Sequence, residues 1–148
     1  MTRYLSDRSE WGTTLLRIAV GVIFVAHGAQ KLFQMTPEGL TGFFAQVGIP
    51  LPAFNAYFVI ALELLGGIAM VVGLGTRILG ALFAAVMVVA FATVHGSQGF
   101  YLPNGYEYVM VLFAASINLV LQGAGAFALD NLLADKKSAV GHLSPARA

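Results

Sequence analysis

Six side chains of this 148-residue chain carry groups suited to ligand binding or proton movement: His27, Lys31, Glu63, His95, Glu107 and Asn118. Two imidazoles and two carboxylates can pass protons, an ammonium donates hydrogen bonds, and a carboxamide both donates and accepts them. Together they would suit a carbonyl-bearing ligand or a proton relay. Thiol chemistry is excluded, because the chain contains no cysteine, so disulfides, thiolate-held clusters and cysteine nucleophiles fall away together. A redox role would need an organic cofactor, a haem held by histidine, or a partner subunit. His27, His95, Glu63 and Glu107 are the residue types from which helical bundles build carboxylate–imidazole metal sites. No Glu-x-x-His pair occurs, however, and no metal is expected; a haem between His27 and His95 ranks no higher. The two Gly-x-Gly runs, Gly73–Gly75 and Gly123–Gly125, follow no strand, so a dinucleotide site is unsupported.

The elements that must carry these residues are legible from composition. Apolar residues make up 58% of the chain and charged residues only 10%, against roughly 25% charged in soluble domains; the mean hydropathy is +0.80. A chain this short has too much surface per volume to bury that apolar excess in water, so lipid is its expected solvent. The net charge is +1, and no basic stripe exists to neutralise phosphates, so no nucleic-acid partner is expected. Arg3, Asp7, Arg8 and Glu10 crowd the first ten residues, no A-x-A site follows, and the apolar stretch after them is long. That beginning is expected to remain as a signal anchor.

Four apolar stretches, about 11–33, 54–74, 77–94 and 106–122, each come close to the ~20 residues that cross ~30 Å of hydrocarbon as a helix. All five prolines (Pro37, Pro50, Pro52, Pro103 and Pro145) lie outside them, as helices require. Period-2 alternation is absent, which argues against a barrel. The expected fold is therefore all-α: a four-transmembrane-helix bundle occupying 11–134, with a cytoplasmic segment over 1–10 and a basic, flexible cytoplasmic tail over 135–148. Arg3, Arg8, Arg17, Arg77, Lys136, Lys137 and Arg147 fall on the side of the termini, with only Lys31 opposite. This positive-inside bias predicts both termini in the cytoplasm. Thr36-Pro37-Glu38 reads as an N-cap, a proline at N1 and an acid in the first turn, with Gly48 as a stop. A short interfacial helix is predicted between them, and a second over 127–134. Phe100, Tyr101, Tyr106 and Tyr108 resemble an interfacial belt of aromatics.

Helical spacing gives every span one polar or small-residue face. These faces are Arg17, Gly21, Phe24, Gly28 and Lys31 in the first; Glu63, Gly67, Met70 and Leu74 in the second; Ala84, Met87, Phe91 and His95 in the third; and Glu107, Val111, Ala114, Asn118 and Gln122 in the fourth. The four faces are expected to meet at the bundle axis. Depth then separates two layers. Lys31, His95 and Glu107 lie near the outer end, with His27 and Glu63 about 9 and 13 Å below their helix ends. Arg17, Arg77, Gln122 and Asp130 lie near the inner end, and Asn118 between. The outer layer is the candidate site, since ionisable groups inside a membrane are functional by default. Pairs such as Lys31–Glu107 or His27–Glu63 would equally serve to fix helix register. The inner arginines are expected to snorkel and set topology, and Met70, Met87 and the glycines to pack helices.

The residues also carry a resemblance. His27-Gly28-x-x-Lys31-Leu32-Phe33, Gly48-x-Pro50, Glu63-Leu64-x-Gly66-Gly67, Gly73-x-x-Thr76-Arg77, His95, Gly105-x-Glu107-Tyr108 and Gly123-x-Gly125 before Leu129-Asp130 follow Leu16-Arg17 in order. The chain resembles the DoxX family of small bacterial membrane proteins from Leu15 to Leu133. Gly123-Ala124-Gly125 stands where the family often has Gly-Pro-Gly. The resemblance implies a four-helix membrane fold, a multi-pass location in the bacterial inner membrane, and membership of an oxidoreductase assembly with a redox partner; it assigns no catalytic residue. Three functions follow as expectations. The first is an oxidoreductase subunit binding quinone or another small ligand in the outer layer, with Lys31 or His27 donating to a quinone carbonyl and Glu63 or Glu107 relaying protons. The second is a small-molecule or proton-coupled transporter with Glu63 as the titrating group. The third is a non-catalytic anchor for a soluble redox partner. Homo-oligomers are compatible with each, and whether the chain is catalytic stays open.

Overall fold

A computed structural model describes residues 2–134, with side chains from Arg8 onward. The tail expected over 135–148, with Lys136, Lys137 and Arg147, and the side chain of Arg3 lie outside the described residues. All the regular structure described is helical. Helix α1 (Thr2–Gln30) runs on into a wide i→i+5 turn at Lys31–Met35. Helix α2 (Pro37–Gln46) follows. Helix α3 (Pro52–Ala61), a second wide turn at Leu62–Gly66 and α4 (Gly67–Val72) form one continuous rod. Helix α5 (Thr76–Ala90) ends in a third wide turn, Phe91–His95, and a 3-10 turn, Gly96–Gln98. Helix α6 is Glu107–Gln122, and residues 129–134 are again helical.

Among the described residues, three rods are long and apolar enough to cross a bilayer: Arg8–Met35, Pro52–Val72 and Thr76–Gln98. They start and end within a few residues of the expected stretches. The fourth, α6, has only 16 residues, about 24 Å of helix against ~30 Å of hydrocarbon. It is a bundle member of reduced length.

The predicted cap at Thr36 and stop at Gly48 (φ 77°) are present, and Gly73, expected to pack helices, is a further stop. The Thr36 hydroxyl accepts from Gly39 N–H at 3.2 Å, with Pro37 opening α2. The second rod ends at Gly73 in the left-handed region, as a helix stop prefers. The main core joins Val20 and Phe24 of α1, Met70 of α4, Phe83 and Met87 of α5, and Val109, Leu112 and Leu119 of α6. Phe24 and Phe83 stack with ring centroids 3.8 Å apart. A second, smaller core pins α2 onto α3 through Leu40, Phe44, Ala56 and Ile60. The short helix expected in the first outer loop is therefore docked on the bundle by its apolar stripe. The first span lies close along the second, with Gly21 and Gly67 against each other's backbone, and α5 pairs along α6. The second and third rods meet chiefly near the turn joining them, where Gly66 faces Leu79 and Phe83. Beyond that level they diverge.

The first two expected inward faces hold over most of their length: Arg17, Gly21, Phe24 and Gly28 are buried, as are Glu63, Gly67 and Met70, while Leu74 is exposed. The third holds at Ala84 and Met87, but Phe91 is exposed. The fourth does not. The buried face of α6 is Val109, Leu112, Ser116 and Leu119, while Val111 is exposed. The helix is turned by between one and two residues, roughly 140°, from the expected orientation. Polar Glu107, Asn118 and Gln122 suggested the inward side, but the apolar stripe had the larger burial to gain.

Candidate functional site in the splayed half of the bundle

The site begins with the three wide turns. A wide turn takes in one residue more than an α-turn, re-aiming the side chains beyond it, and such turns recur at functional sites. Here they fall at Lys31–Met35, Leu62–Gly66 and Phe91–His95, one in each long rod: the first and third toward the rod end away from the N-terminus, the second at mid-rod. Each contains an ionisable residue singled out from sequence: Lys31, Glu63 and His95.

Lys31 Nζ donates to Glu63 Oε2 at 2.7 Å. Glu63 is 2% exposed and Lys31 21%, so the carboxylate lies behind the ammonium. The approach depends on Gly28. A Cβ there would lie 2.8 Å from Leu64 N and 3.0 Å from Glu63 Cβ, so a side chain would push the first span off the second just where the ion pair forms. His27, one turn back, has Nε2 3.4 Å from the Tyr108 hydroxyl on α6, with the rings 5.9 Å apart. His95 Nδ1–H donates to the Asn104 carbonyl at 2.9 Å, which ties the third rod to the following loop and fixes the imidazole's orientation.

Around these groups is a cavity of about 380 Å³, within the range of small-molecule sites. Lys31, Glu63, His27, His95 and Tyr108 supply polar groups to it, as do Asn55 and Thr93, whose side chains donate to the Pro50 and Val89 carbonyls. Phe24 and Met87 lie at its inner end, and Leu40, Phe43 and Phe44 of α2 at its outer end. Its side walls come from α3 and α5, where the two rods diverge. The composition is mostly apolar wall, with a few convergent polar groups and a charge pair that already cancels.

Four of the six candidates, His27, Lys31, Glu63 and His95, thus share one cavity. Glu107 and Asn118 do not line it. Glu107 Oε1 instead accepts from Leu102 N–H at 2.8 Å, holding the loop before α6. The pairings expected as Lys31–Glu107 and His27–Glu63 are replaced by Lys31–Glu63 and His27–Tyr108. The cause is geometric: glycine contacts press the first span onto the second, and the turn of α6 points Glu107 at its own loop. Tyr108 was missed because its spacing read as an interfacial belt, although its place next to Glu107 put it at the right depth. Among the described residues, no cluster of three or more His, Asp and Glu side chains could hold a metal.

The inner layer is a set of tethers. Both oxygens of Asp130 accept from the first N–H groups of the third rod, Gly75 at 2.7 Å and Thr76 at 3.0 Å, placing an acid at a helix N-terminus. Arg77 answers at the other polarity, donating to the carbonyls of Val120, Leu121 and Gln122 at the end of α6. Arg17 departs from the snorkelling expectation. It is 1% exposed, and Nη2 donates to the Phe127 carbonyl at 3.4 Å. Gly73 makes room for it, since a Cβ there would overlap Nη1. The segment after α6 folds back over the guanidinium, with Thr14 donating to the Ala126 carbonyl at 2.9 Å, so burial under the chain replaces escape to the interface.

Comparison with known proteins agrees with the helical membrane architecture. The family model described as DoxX matches residues 12–96. A protein of Bacillus subtilis (strain 168), named "Putative oxidoreductase CatD", is 42% identical over 121 residues, covering 82% of this chain and 86% of that protein. A protein of Haemophilus influenzae (strain ATCC 51907 / DSM 11121 / KW20 / Rd), named only "Uncharacterized protein", is 32% identical over 120 residues, covering 78% and 86% respectively. No solved structure matches significantly. With a family model spanning more than half its length and a relative this similar over most of both chains, the protein belongs to the DoxX family.

Proposed function

We propose that this DoxX protein is the membrane component of an oxidoreductase assembly and that its cavity binds the head group of a membrane quinone. The observation that carries the proposal is the Lys31–Glu63 pair at 2.7 Å, set in a largely apolar cavity of about 380 Å³. Lys31 has two further N–H donors, and its charge is already balanced by Glu63. The site therefore favours a neutral ligand with acceptor oxygens over an anion, which would leave uncompensated negative charge in a poorly solvated place. A quinone has that chemistry and, when bound, would supply reversible electron uptake. Lys31 would donate to one carbonyl, His27 and Tyr108 would supply the second polar contact, and Glu63 would orient the ammonium and exchange a proton with it. The name of the Bacillus relative, an oxidoreductase, supports the same class.

Transport fits less well. The Phe24–Phe83 stack and the apolar core beneath the cavity favour a closed binding site over a path through the bundle. We place the protein in the bacterial inner membrane as a multi-pass chain with cytoplasmic termini and the cavity in the outer half, because Arg8, Arg17 and Arg77 lie toward the opposite end from Lys31. A redox partner, soluble or membrane-bound, would exchange electrons with the ligand.

The test is to purify the protein in mild detergent, extract it with organic solvent and quantify quinone, for the wild type and for Glu63→Gln. Co-purifying quinone, reduced in Glu63→Gln, is the expected result. Absence of quinone, together with unchanged quinol turnover by Glu63→Gln membranes, would overturn the proposal.

A further inference from the structure

We infer that the ligand reaches the Lys31–Glu63 site sideways from the membrane, through a portal between the second and third rods, and hence that it is a tailed amphiphile rather than a water-borne molecule. The inference rests on the quinone-site reading and adds its route and the tail it requires.

Three observations carry it. First, the two rods meet near their joining turn and separate above the level of Gly66 and Phe83, where α3 packs on α1 and α2 and α5 on α6, with no helix among the described residues packed closely on both. Second, five residues that line the cavity are also exposed on the outside of the bundle: Met35 (39%) at the end of the first rod, Phe58 (43%) on α3, and Leu82 (37%), Ala85 and Val89 (47%) on α5. A side chain that both lines a cavity and faces outward marks a mouth; all five are apolar, and four of them lie on the two rods that diverge. Third, the end of the cavity toward the membrane surface is covered by α2, whose Leu40 and Phe44 are buried against Ala56 and Ile60. The open side therefore faces acyl chains and the covered side faces water.

A ligand taking this path must partition into lipid, and its head must pass between α3 and α5 to reach Lys31. A tail left in the mouth would lie along Leu82 and Val89, where it gives up no solvation, because lipid and the wall are equally apolar. A polyprenyl or long alkyl tail meets that condition.

The experiment loads purified protein in lipid nanodiscs with two probes, a quinone carrying a polyprenyl tail and the same ring without a tail. It compares wild type with Ala85→Trp and Val89→Trp, which place an indole in the mouth, and with Val88→Trp, which places one on the exposed face beside it. Tailed-quinone loading is expected to slow by about one to two orders of magnitude in the mouth variants, and to stay at the wild-type rate in Val88→Trp. Equilibrium binding of the tail-less ring should survive in all three. Tailed loading indifferent to both mouth variants would overturn the portal alone. Loss of the tail-less ring in the mouth variants would overturn it too, because the indole would then have filled the head site. Failure of the wild type to bind either probe would overturn the quinone reading, and this inference with it.

Discussion

A carboxylate only 2% exposed in an apolar bundle has to be answered by a cation or by a proton, and Lys31 answers Glu63 at 2.7 Å. Removing one partner of a buried pair costs far more than removing both, because the survivor keeps its desolvation without compensation. Lys31→Met should therefore lower thermal stability in detergent by about 3 kcal/mol, the low end for buried pairs, since Glu63 can take up a proton. Adding Glu63→Gln to Lys31→Met should restore most of it. A double variant no more stable than Lys31→Met would mean the two side chains do not act as a pair. The identity of the polar residues and their common depth could be read from sequence, because charged groups in apolar stretches are few. Their partners could not. Lys31 had Glu63 and Glu107 within reach on depth alone, and the choice turned on Gly28, whose missing side chain lets one rod approach the other. Tyr108 was hidden for a related reason: an aromatic ring near a helix end reads the same whether it faces lipid or a histidine.

At the scale of elements, helix ends and glycine contacts place the site. Gly28→Ala would put a methyl carbon 2.8 Å from Leu64 N, and overpacking of this kind typically costs about 1–3 kcal/mol. Its expected signature is a loss of quinone affinity together with a lower melting temperature, whereas Gly42→Ala, whose Cβ meets nothing within 4 Å, should leave affinity at the wild-type value. Asp130 acts at the opposite end. Asp130→Ala removes the acceptor for Gly75 and Thr76 N–H, and loss of such a cap costs roughly 0.5–2 kcal/mol. Quinone affinity should stay near wild type there, because the tether is remote from the cavity; a large loss of affinity in Asp130→Ala would show that the two ends are coupled. The rods themselves were visible in the sequence, since twenty apolar residues bounded by proline and glycine admit few other readings. The wide turns were not, because one inserted residue shifts the hydrophobic period too little to stand out. The phase of α6 was misread because polar residues were given more weight than the stripe Val109, Leu112, Ser116 and Leu119.

For the whole molecule the decisive quantity is orientation, because it sets which membrane face the cavity serves. Arg8, Arg17 and Arg77 lie toward one end of the bundle and Lys31 toward the other. Arg17 contributes little to the choice as a surface charge, being buried beneath the segment that follows α6. The bias at the interface then rests on Arg8 and Arg77, together with the basic residues beyond 134, and still favours that end inside. The absence of cysteine makes this directly testable, since single cysteines can be introduced without a prior knockout. Ser97→Cys lies on the exposed 3-10 turn that ends the third rod, and Ser9→Cys near the start of the first. A membrane-impermeant maleimide added to intact cells should label Ser97→Cys and spare Ser9→Cys, and lysis should expose both. That pattern puts the cavity in the outer half of the membrane and α2 at the outer interface, so a quinone entering between the second and third rods would exchange protons with the outside through the groups around Lys31 and His95. The opposite pattern would place the same cavity in the cytoplasmic half and direct those protons inward.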